Sequence, residues 1–152
     1  MGEDPPGVER TFFCLKPDAL EKRLVGEIIS RIERKGLEIV GLKLLKIARD
    51  QAERLYEEHR GKPFYEGLVD YITSGPSIPM VVEGVNAIRL MRNLSGSTEP
   101  SEALPGTIRG DYAPGSPPGA IIRNLVHASD SEEDAEREIG IFFKDEEILR
   151  RI

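Results

Sequence analysis

Two side chains near the end of the sequence, His127 and Glu138, have the types and spacing that nucleophilic catalysis requires. The segment NLVHASDSEEDAEREIG (124–140) holds one of only two histidines in the chain. Counted from Ala135, positions i, i+3, i+4 and i+7 give the core-facing stripe of a helix, yet Glu138 fills one of them. A buried carboxylate needs a hydrogen-bonded partner, and an imidazole becomes a useful nucleophile when one of its nitrogens is held. The alternative interpretation is that the carboxylate bends out to water and that His127 is an ordinary core histidine.

Length and composition restrict the classes of protein to which the chain can belong. We expect a single domain (1–152), whose acidic, Pro- and Gly-rich residues 1–8 form a flexible extension. The apolar runs are too short to cross a membrane, and the net charge of −6 argues against binding nucleic acid through the whole surface. The lone cysteine, Cys14, excludes an internal disulfide and fits a reducing compartment. We therefore expect a cytoplasmic protein with no membrane partner and no specific nucleic-acid partner.

Hydrophobic periodicity and turn residues predict the elements that must position these side chains. Apolar, β-prone runs predict strands at 10–16, 37–47, 79–84 and 120–129. Helical spacing and terminal signals predict helices over about 24–35, 50–59, 68–75 and 86–93 and from 131 onward, with a last turn at 145–150. Residues 96–120 hold five of the eleven prolines and predict a long irregular loop, a kind of segment that is usually functional.

Capping patterns and the order of the elements predict the fold. Asp50 with Glu53 resembles a capping box at the start of one helix, and Ser131 with Asp134 is expected to cap another. The order βα-β-αα-βα-β-α predicts an α+β sandwich of ferredoxin-like type, in which helices pack on one face of a four-stranded antiparallel sheet. A fold of this class does not by itself specify a function.

Five separated regions of the chain have the order and nearly the spacing of the motifs of one known family. They are ERTFFCLKPDAL, LVGEII followed by KGLEIVGLK, PGTIRGDY, RNLVHASDS and AEREIGIFF. Over Glu9 to Ile148 the chain thus resembles nucleoside diphosphate kinases. The resemblance implies transfer of the terminal phosphoryl group of a nucleoside triphosphate to a nucleoside diphosphate by a ping-pong mechanism. His127 would carry the phosphoryl group on Nδ1, Glu138 would hold the other imidazole nitrogen, and Ser129 would support that pair.

The resemblance also implies which residues bind the nucleotide. Lys16 and Asn124 would hold the sugar hydroxyl, while Tyr56 would lie close to the histidine. Forked guanidinium donors and a hydroxyl suit phosphate oxygens, and apolar faces suit the base. The phosphate positions are Arg92, Thr98, Arg109 and His59, and the base positions are Phe64, Leu68 and Ile121. Mg²⁺ would arrive on the polyphosphate, so no metal site made by the protein alone is expected.

Three further features bear on the resemblance. Ala128 stands where a glycine commonly follows the histidine in the family. Residues 113–120 (APGSPPGA) resemble a short insertion beside the position matched to Ile121. The segment GSTEPSEALPG (96–106) resembles the loop that supports subunit contacts, which implies a homohexamer, with a homotetramer as the alternative.

Two other functions would use the same fold. One is a phosphotransfer relay in which His127 passes its phosphoryl group to a protein, and a free nucleoside diphosphate acceptor distinguishes the kinase from it. The other is a catalytically silent nucleotide-binding or oligomeric regulator. Loss of the histidine or of the arginines would favour the regulator, and here all of them are present.

Overall fold

An antiparallel sheet forms the centre of the protein. The computed structural model describes residues 6–150, and four strands run in the order β2-β4-β1-β5. The strands are β1 (Val8–Leu15), β2 (Glu38–Leu42), β3 (Leu45–Lys46), β4 (Pro76–Val85) and β5 (Val126–Ala128). Each recorded pairing is antiparallel, and β3 adds a short fifth strand beside the start of β4. The predicted four-stranded antiparallel sheet is confirmed.

Helices connect the strands. The α-helices are α1 (Pro17–Glu21), α2 (Val25–Arg34), α3 (Arg49–Leu55), α4 (Tyr65–Ile72), α5 (Ala87–Ser95), α6 (Ile108–Tyr112) and α7 (Glu132–Phe142). Short 3₁₀ turns span Glu57–His59, Pro100–Glu102 and Asp145–Glu147.

Two helices begin at a residue whose side chain caps the helix. Ser131 Oγ accepts the Asp134 N–H at 3.1 Å and starts α7, as predicted. Thr107 Oγ1 accepts the Gly110 N–H at 3.0 Å and starts α6. Because α6 lies inside 96–120, the prediction of an irregular loop there is wrong in part.

The start of α3 differs from the prediction. The residue before the helix is Ala48, and its N–H donates to Gln51 Oε1 at 3.0 Å. The predicted capping box of Asp50 and Glu53 is therefore wrong, since the reciprocal side chain comes from a residue between them. The helix also ends at Leu55, and the chain continues as a 3₁₀ turn.

Two predicted strands are shorter in the structure. The segment 37–47 divides into β2 and β3, because Lys43 and Leu44 between them are not strand residues, although the Lys43 N–H still donates to the Pro79 carbonyl of β4 at 3.1 Å. The segment 120–129 pairs only over β5, because Leu125 just before it has a φ of 71°. A residue in that left-handed region cannot continue an extended strand.

Helices cover both faces of the sheet, so the prediction of one covered face is wrong. Phe13 and Leu15 of β1 belong to the core cluster shared with α2 and α5. Phe12 and Cys14 belong to the cluster shared with α3, α4 and α7. Successive side chains of a strand point to opposite faces, and four consecutive buried apolar residues are typical of a strand that is covered on both sides.

The predicted N-terminal extension lies largely outside the described residues. Residues 1–5 are not among them, while the Gly7 carbonyl accepts the Asn86 N–H at 3.2 Å and Val8 begins β1. In residues 6–150, no helix is both long and apolar enough to cross a membrane.

Gly110 permits the tight approach of α6 to the preceding loop. A Cβ built on Gly110 would overlap the carbonyl oxygen of Leu104, which is backbone and cannot swing away. We therefore expect Gly110→Ala to lower the free energy of unfolding by about 1–3 kcal/mol, as overpacking does. Thermal and denaturant unfolding of the parent and the variant measure this change in the free energy of unfolding.

A matched control is Gly140→Ala in the interior of α7, where an added Cβ meets nothing within 4 Å. That substitution should raise stability by roughly 0.5–1 kcal/mol, because alanine replaces glycine inside a helix. Equal effects of the two substitutions would contradict the packing argument for Gly110.

Candidate active site

His127 lies in the short strand β5 and is held from both sides. Its neighbour in the sheet is Cys14 of β1, and its ring stands edge-on to Tyr56, with 6.1 Å between the ring centroids. The ring of Phe12 packs against it at 5.8 Å. The imidazole Nε2 lies 2.8 Å from Glu138 Oε1. The side chain is 18% exposed, so the ring is fixed yet reachable from solvent.

Glu138 is a buried carboxylate whose two oxygens are both engaged. Its side chain is 3% exposed, and Oε1 accepts from Ser129 Oγ at 2.6 Å as well as facing His127. Its Oε2 accepts from Arg137 Nη2 at 3.4 Å. These partners supply the hydrogen bonds that a buried charge requires. The contact also holds Nε2 of the imidazole, which leaves Nδ1 as the nitrogen that Glu138 does not engage.

A single cleft of about 1630 Å³ opens in front of His127. All of the predicted catalytic and nucleotide-binding residues line this cleft except Glu138 and Ser129, which lie behind the imidazole. The lining residues among them are Lys16, Tyr56, His59, Phe64, Leu68, Arg92, Thr98, Arg109, Ile121, Asn124 and His127. Residues that are distant in the sequence therefore converge on one site.

Lys16 and Asn124 form a buried polar pair at the floor of the cleft. Lys16 Nζ donates to Asn124 Oδ1 at 2.9 Å, and Asn124 Nδ2 donates to the Thr98 carbonyl at 3.0 Å. Burial and, after it, the charge of Arg109 lower the pKa of Lys16 to about 8, and Asp18 opposes the change. The residue is only 4% exposed, and its ammonium loses its proton more readily than that of an ordinary lysine.

Arg109 is held in place by the backbone. Its guanidinium donates to the carbonyls of Asn124 at 3.1 Å, Gly96 at 2.9 Å and Val126 at 2.6 Å. Burial lowers its pKa to about 10, and the side chain nevertheless lines the cleft. Because a guanidinium has five N–H donors, part of its donor set stays available to a ligand.

The other polar lining residues are more loosely held. Arg92 is paired with Asp130, with 3.6 Å between Nε and Oδ1, and its side chain is largely exposed. Thr98 is exposed at the rim. His59 Nδ1 lies 3.3 Å from Lys62 Nζ. We interpret these side chains as free to adjust to a bound anion, in contrast to the fixed Arg109.

An apolar slot leads off the cleft. Phe64, which is 42% exposed, lines one side of the slot. Ile121 packs closely on Gly67, and a Cβ built at Gly67 would overlap the Ile121 side chain. Gly119 and Ala120 also line this slot. The end of the segment 113–120 therefore forms a wall of the site, although most of that segment is exposed.

Two contributors to the site were missed from the sequence. Arg137 reaches Glu138 from the adjacent position on α7 and also donates to the Arg54 carbonyl at 2.7 Å. Asp18 accepts the Leu125 N–H at 3.1 Å, two residues before His127. Arg137 lies within a run of alternating charges, and Asp18 contacts a segment more than 100 positions away. Neither contact produces a periodic pattern in the nearby sequence from which it could be predicted.

The chain is similar to known proteins over nearly its whole length. The family model described as nucleoside diphosphate kinase matches residues 9–148. The chain belongs to this family. A nucleoside diphosphate kinase from Archaeoglobus fulgidus is 60% identical over 142 residues, which cover 93% of this chain and 91% of that relative. Like the family, the chain transfers a terminal phosphoryl group between nucleoside tri- and diphosphates by a ping-pong mechanism through phosphohistidine.

Solved structures of other nucleoside diphosphate kinases have the same fold. A transition-state mimic from Borrelia burgdorferi with bound vanadate and ADP has a TM-score of 0.92 and 38% identity, covering 97% of this chain and 94% of that one. A Halobacterium salinarum enzyme in complex with CDP has a TM-score of 0.87 and 46% identity, covering 95% and 93%.

The contact between Glu138 and His127 predicts one imidazole tautomer. A neutral ring that donates from Nε2 to the carboxylate carries no proton on Nδ1. ¹⁵N NMR of histidine-labelled protein near neutral pH should therefore show a protonated Nε2 and an unprotonated Nδ1 at His127. Glu138→Leu should mix the tautomers, while Glu136→Leu, at an exposed position of the same helix, should not. A protonated Nδ1 in the parent protein would contradict the assignment.

Proposed function

We propose that His127 is the residue that carries the phosphoryl group and that Glu138 directs its Nδ1 at the nucleotide. The observation that supports this is the 2.8 Å contact between Nε2 and Glu138 Oε1 behind a ring that lines the cleft. The Nδ1 lone pair attacks the γ-phosphorus, and the bond from that phosphorus to the β–γ bridging oxygen breaks. The nucleoside diphosphate leaves with that oxygen. A second diphosphate then attacks the phosphohistidine and reverses the step.

Glu138 and Ser129 stabilise the ring as charge develops on it. During attack the imidazole becomes positively charged, and an ionised carboxylate at hydrogen-bond distance favours that form. Ser129 donates to the same carboxylate oxygen and so keeps it aimed at Nε2. Tyr56, edge-on to the imidazole, limits its rotation.

We propose that cations hold the polyphosphate and that the floor of the cleft holds the sugar. Arg109, fixed by three carbonyls, gives a rigid donor, while Arg92, Thr98 and His59 adjust to the anion. Positioning and charge stabilisation supply most of the catalysis in phosphoryl transfer. The Lys16 ammonium, which donates to Asn124 Oδ1, would bind a ribose hydroxyl together with the Asn124 side chain. Phe64, Leu68 and Ile121 would enclose the base.

Mg²⁺ is expected to enter on the nucleotide. Among residues 6–150, no three His, Cys, Asp or Glu side chains converge as a metal site, whereas the donors at the cleft suit phosphate oxygens. When bound, the ion would offset the negative charge of the phosphate oxygens. The residues that would hold the nucleotide carrying it are Arg92, Thr98 and Arg109.

We also propose a single-domain subunit that assembles into a homohexamer, with a homotetramer as the alternative. Large apolar side chains are exposed at Leu42 and Leu44, beside the sheet edge formed by β2, and at Leu104 in the 96–106 loop. Buried contacts between subunits would remove that surface from water. A cytoplasmic location would keep the buried thiol of Cys14 reduced.

Labelling tests the assignment of the nucleophile. Protein mixed with γ-labelled ATP should form an acid-labile phosphoprotein, and GDP should then remove the label as GTP. His127→Gln should accept no label, because the amide cannot act as the nucleophile. The matched control is His59→Gln, which should still be labelled. Label on the His127→Gln protein together with GTP formation at the parental rate would contradict the proposal.

The orienting role of Glu138 predicts a loss of rate without loss of the fold. Glu138→Gln keeps a hydrogen bond and loses the charge, so kcat/KM should fall by about 10- to 1,000-fold. Glu136→Gln, at an exposed position of α7, should leave the rate unchanged. Parental turnover by Glu138→Gln, with an unchanged melting temperature, would show that Glu138 has only a structural role.

The apolar base slot predicts weak discrimination among nucleobases. Phe64, Leu68 and Ile121 offer faces but no side-chain donors, and stacking tolerates any base. GDP should exceed CDP in kcat/KM by about tenfold or less, because a purine stacks over a larger area. The measurement compares GDP, ADP, UDP and CDP with one phosphoryl donor. A spread beyond about 1,000-fold would mean that a polar group reads the base.

The low pKa of Lys16 predicts opposite effects of alkaline pH on rate and stability. Sugar binding needs the ammonium, so kcat/KM should fall as pH rises through about 8. Between about 8 and 10.5 the unfolded lysine binds more proton than the folded one, so the contribution of Lys16 to stability rises there. In Lys16→Met, kcat/KM should be lower than in the parent and should no longer fall as pH rises through about 8. The same fall in that variant would contradict the assignment.

A further inference from the structure

A strained turn separates the proposed sugar-binding residue from the proposed nucleophile. The Val126 N–H donates to the Asn124 carbonyl at 2.8 Å, two residues back, and Leu125 between them has a φ of 71°. This is a γ-turn with a positive φ at its centre, a rare conformation that persists only where the surroundings enforce it. A branched, fully buried leucine is an unfavourable residue for it.

The polar backbone groups of Leu125 are both bound by the segment that follows β1. Asp18 Oδ2 accepts the Leu125 N–H at 3.1 Å, and the Lys16 N–H donates to the Leu125 carbonyl at 2.8 Å. Arg109 also contacts the turn through the carbonyls on either side of Leu125. Of these contacts, the bond from Asp18 is the one made by a side chain that does not line the cleft.

Asp18 is itself held by a buried tyrosine. It is 3% exposed in α1, and its Oδ1 accepts from the Tyr71 hydroxyl of α4 in a short hydrogen bond. Burial raises the pKa of Tyr71, and Asp18 raises it further, so the hydroxyl keeps its proton and stays a donor. The Lys16 ammonium lies 5.2 Å from the centre of the Tyr71 ring. Both carboxylate oxygens therefore have fixed partners.

We propose that Asp18 is a positioning residue: it maintains the turn at Leu125 and thereby sets the distance between the Asn124 side chain and the His127 ring. Tyr71 in turn orients Asp18. Without the acceptor for its N–H, Leu125 relaxes towards negative φ, and the sugar and the γ-phosphorus are no longer presented together. This inference rests on the proposed roles of Asn124 and His127. It adds two residues that reach the reaction only through the backbone.

The test compares two replacements of Asp18 in a single turnover. Quenched-flow mixing with γ-labelled ATP gives the rate of phosphorylation at saturation, and the burst amplitude counts the active molecules. Asp18→Ala should slow that rate by about 10- to 100-fold, since small displacements of reacting groups cost this much. Its Kd for ATP should change by less than about fivefold, because Arg92 does not bind the turn and Arg109 keeps its bond to the Gly96 carbonyl.

Asp18→Asn should stay within about threefold of the parent, since its amide oxygen can still accept the Leu125 N–H while its NH₂ faces the Tyr71 oxygen. Because Asp18 raises the pKa of Lys16, each variant is measured over a series of pH values, which separates loss of the Lys16 proton from loss of the acceptor. Ile28→Val, in the same core cluster as Leu125, is the control for general destabilisation. It should lower the melting temperature without changing the rate per active molecule.

Tyr71→Phe carries the test if Asp18→Ala does not fold. It removes one hydroxyl, and the phosphorylation rate should fall about 3- to 10-fold with little change in Kd. A parental rate per active molecule in Asp18→Ala, or in Tyr71→Phe if the alanine variant is unfolded, overturns the inference. Equal loss in Asp18→Asn and Asp18→Ala also overturns it, because charge and not the acceptor would then matter. Absence of label at His127 in the parent protein would instead overturn the proposed function.

Discussion

The hydrogen bond between Glu138 and His127 is the constraint on which the rest of the site depends. Burying a carboxylate to 3% exposure is costly unless hydrogen-bonded partners compensate it, and here an imidazole, the Ser129 hydroxyl and the Arg137 guanidinium are those partners. The same contacts prevent the imidazole from rotating and reserve one nitrogen for chemistry. Stability and reactivity thus arise from one arrangement, which explains a charged residue on the inner stripe of α7.

The elements around that pair bring rigid and adjustable groups to one cleft. β1 and β5 pair through Cys14 and His127, so the proposed nucleophile lies on the sheet itself rather than on a loop. Arg109 is fixed because its short helix, α6, is capped and its guanidinium binds three carbonyls. Arg92 remains exposed beside Asp130. In the proposed function, the fixed donor orients the phosphoryl group and the adjustable one admits the nucleotide.

The sequence predicted most of the sheet and the residues of the cleft, because these depend on local patterns or on family motifs. The Ser131 cap and the stripe containing Glu138 are local, and the structure has the cap as expected. The features that were missed are set by tertiary contacts. The coverage of both faces follows from where α3, α4 and α7 pack, and α6 forms inside a Pro-rich segment because Gly110 tolerates the Leu104 backbone. The bond from Asp18 to Leu125 joins residues that no periodicity relates.

The nitrogen that carries the phosphoryl group shows whether Glu138 reserves Nδ1 for the reaction. Protein labelled with ¹⁵N-histidine, phosphorylated by ATP and freed of nucleotide, can be studied by ³¹P–¹⁵N correlation under conditions that preserve phosphohistidine. We expect a phosphorus–nitrogen bond at Nδ1 of His127, with Nε2 still protonated and bound to Glu138. A phosphoryl group on Nε2 would contradict this expectation, because that nitrogen could not then be held by the carboxylate.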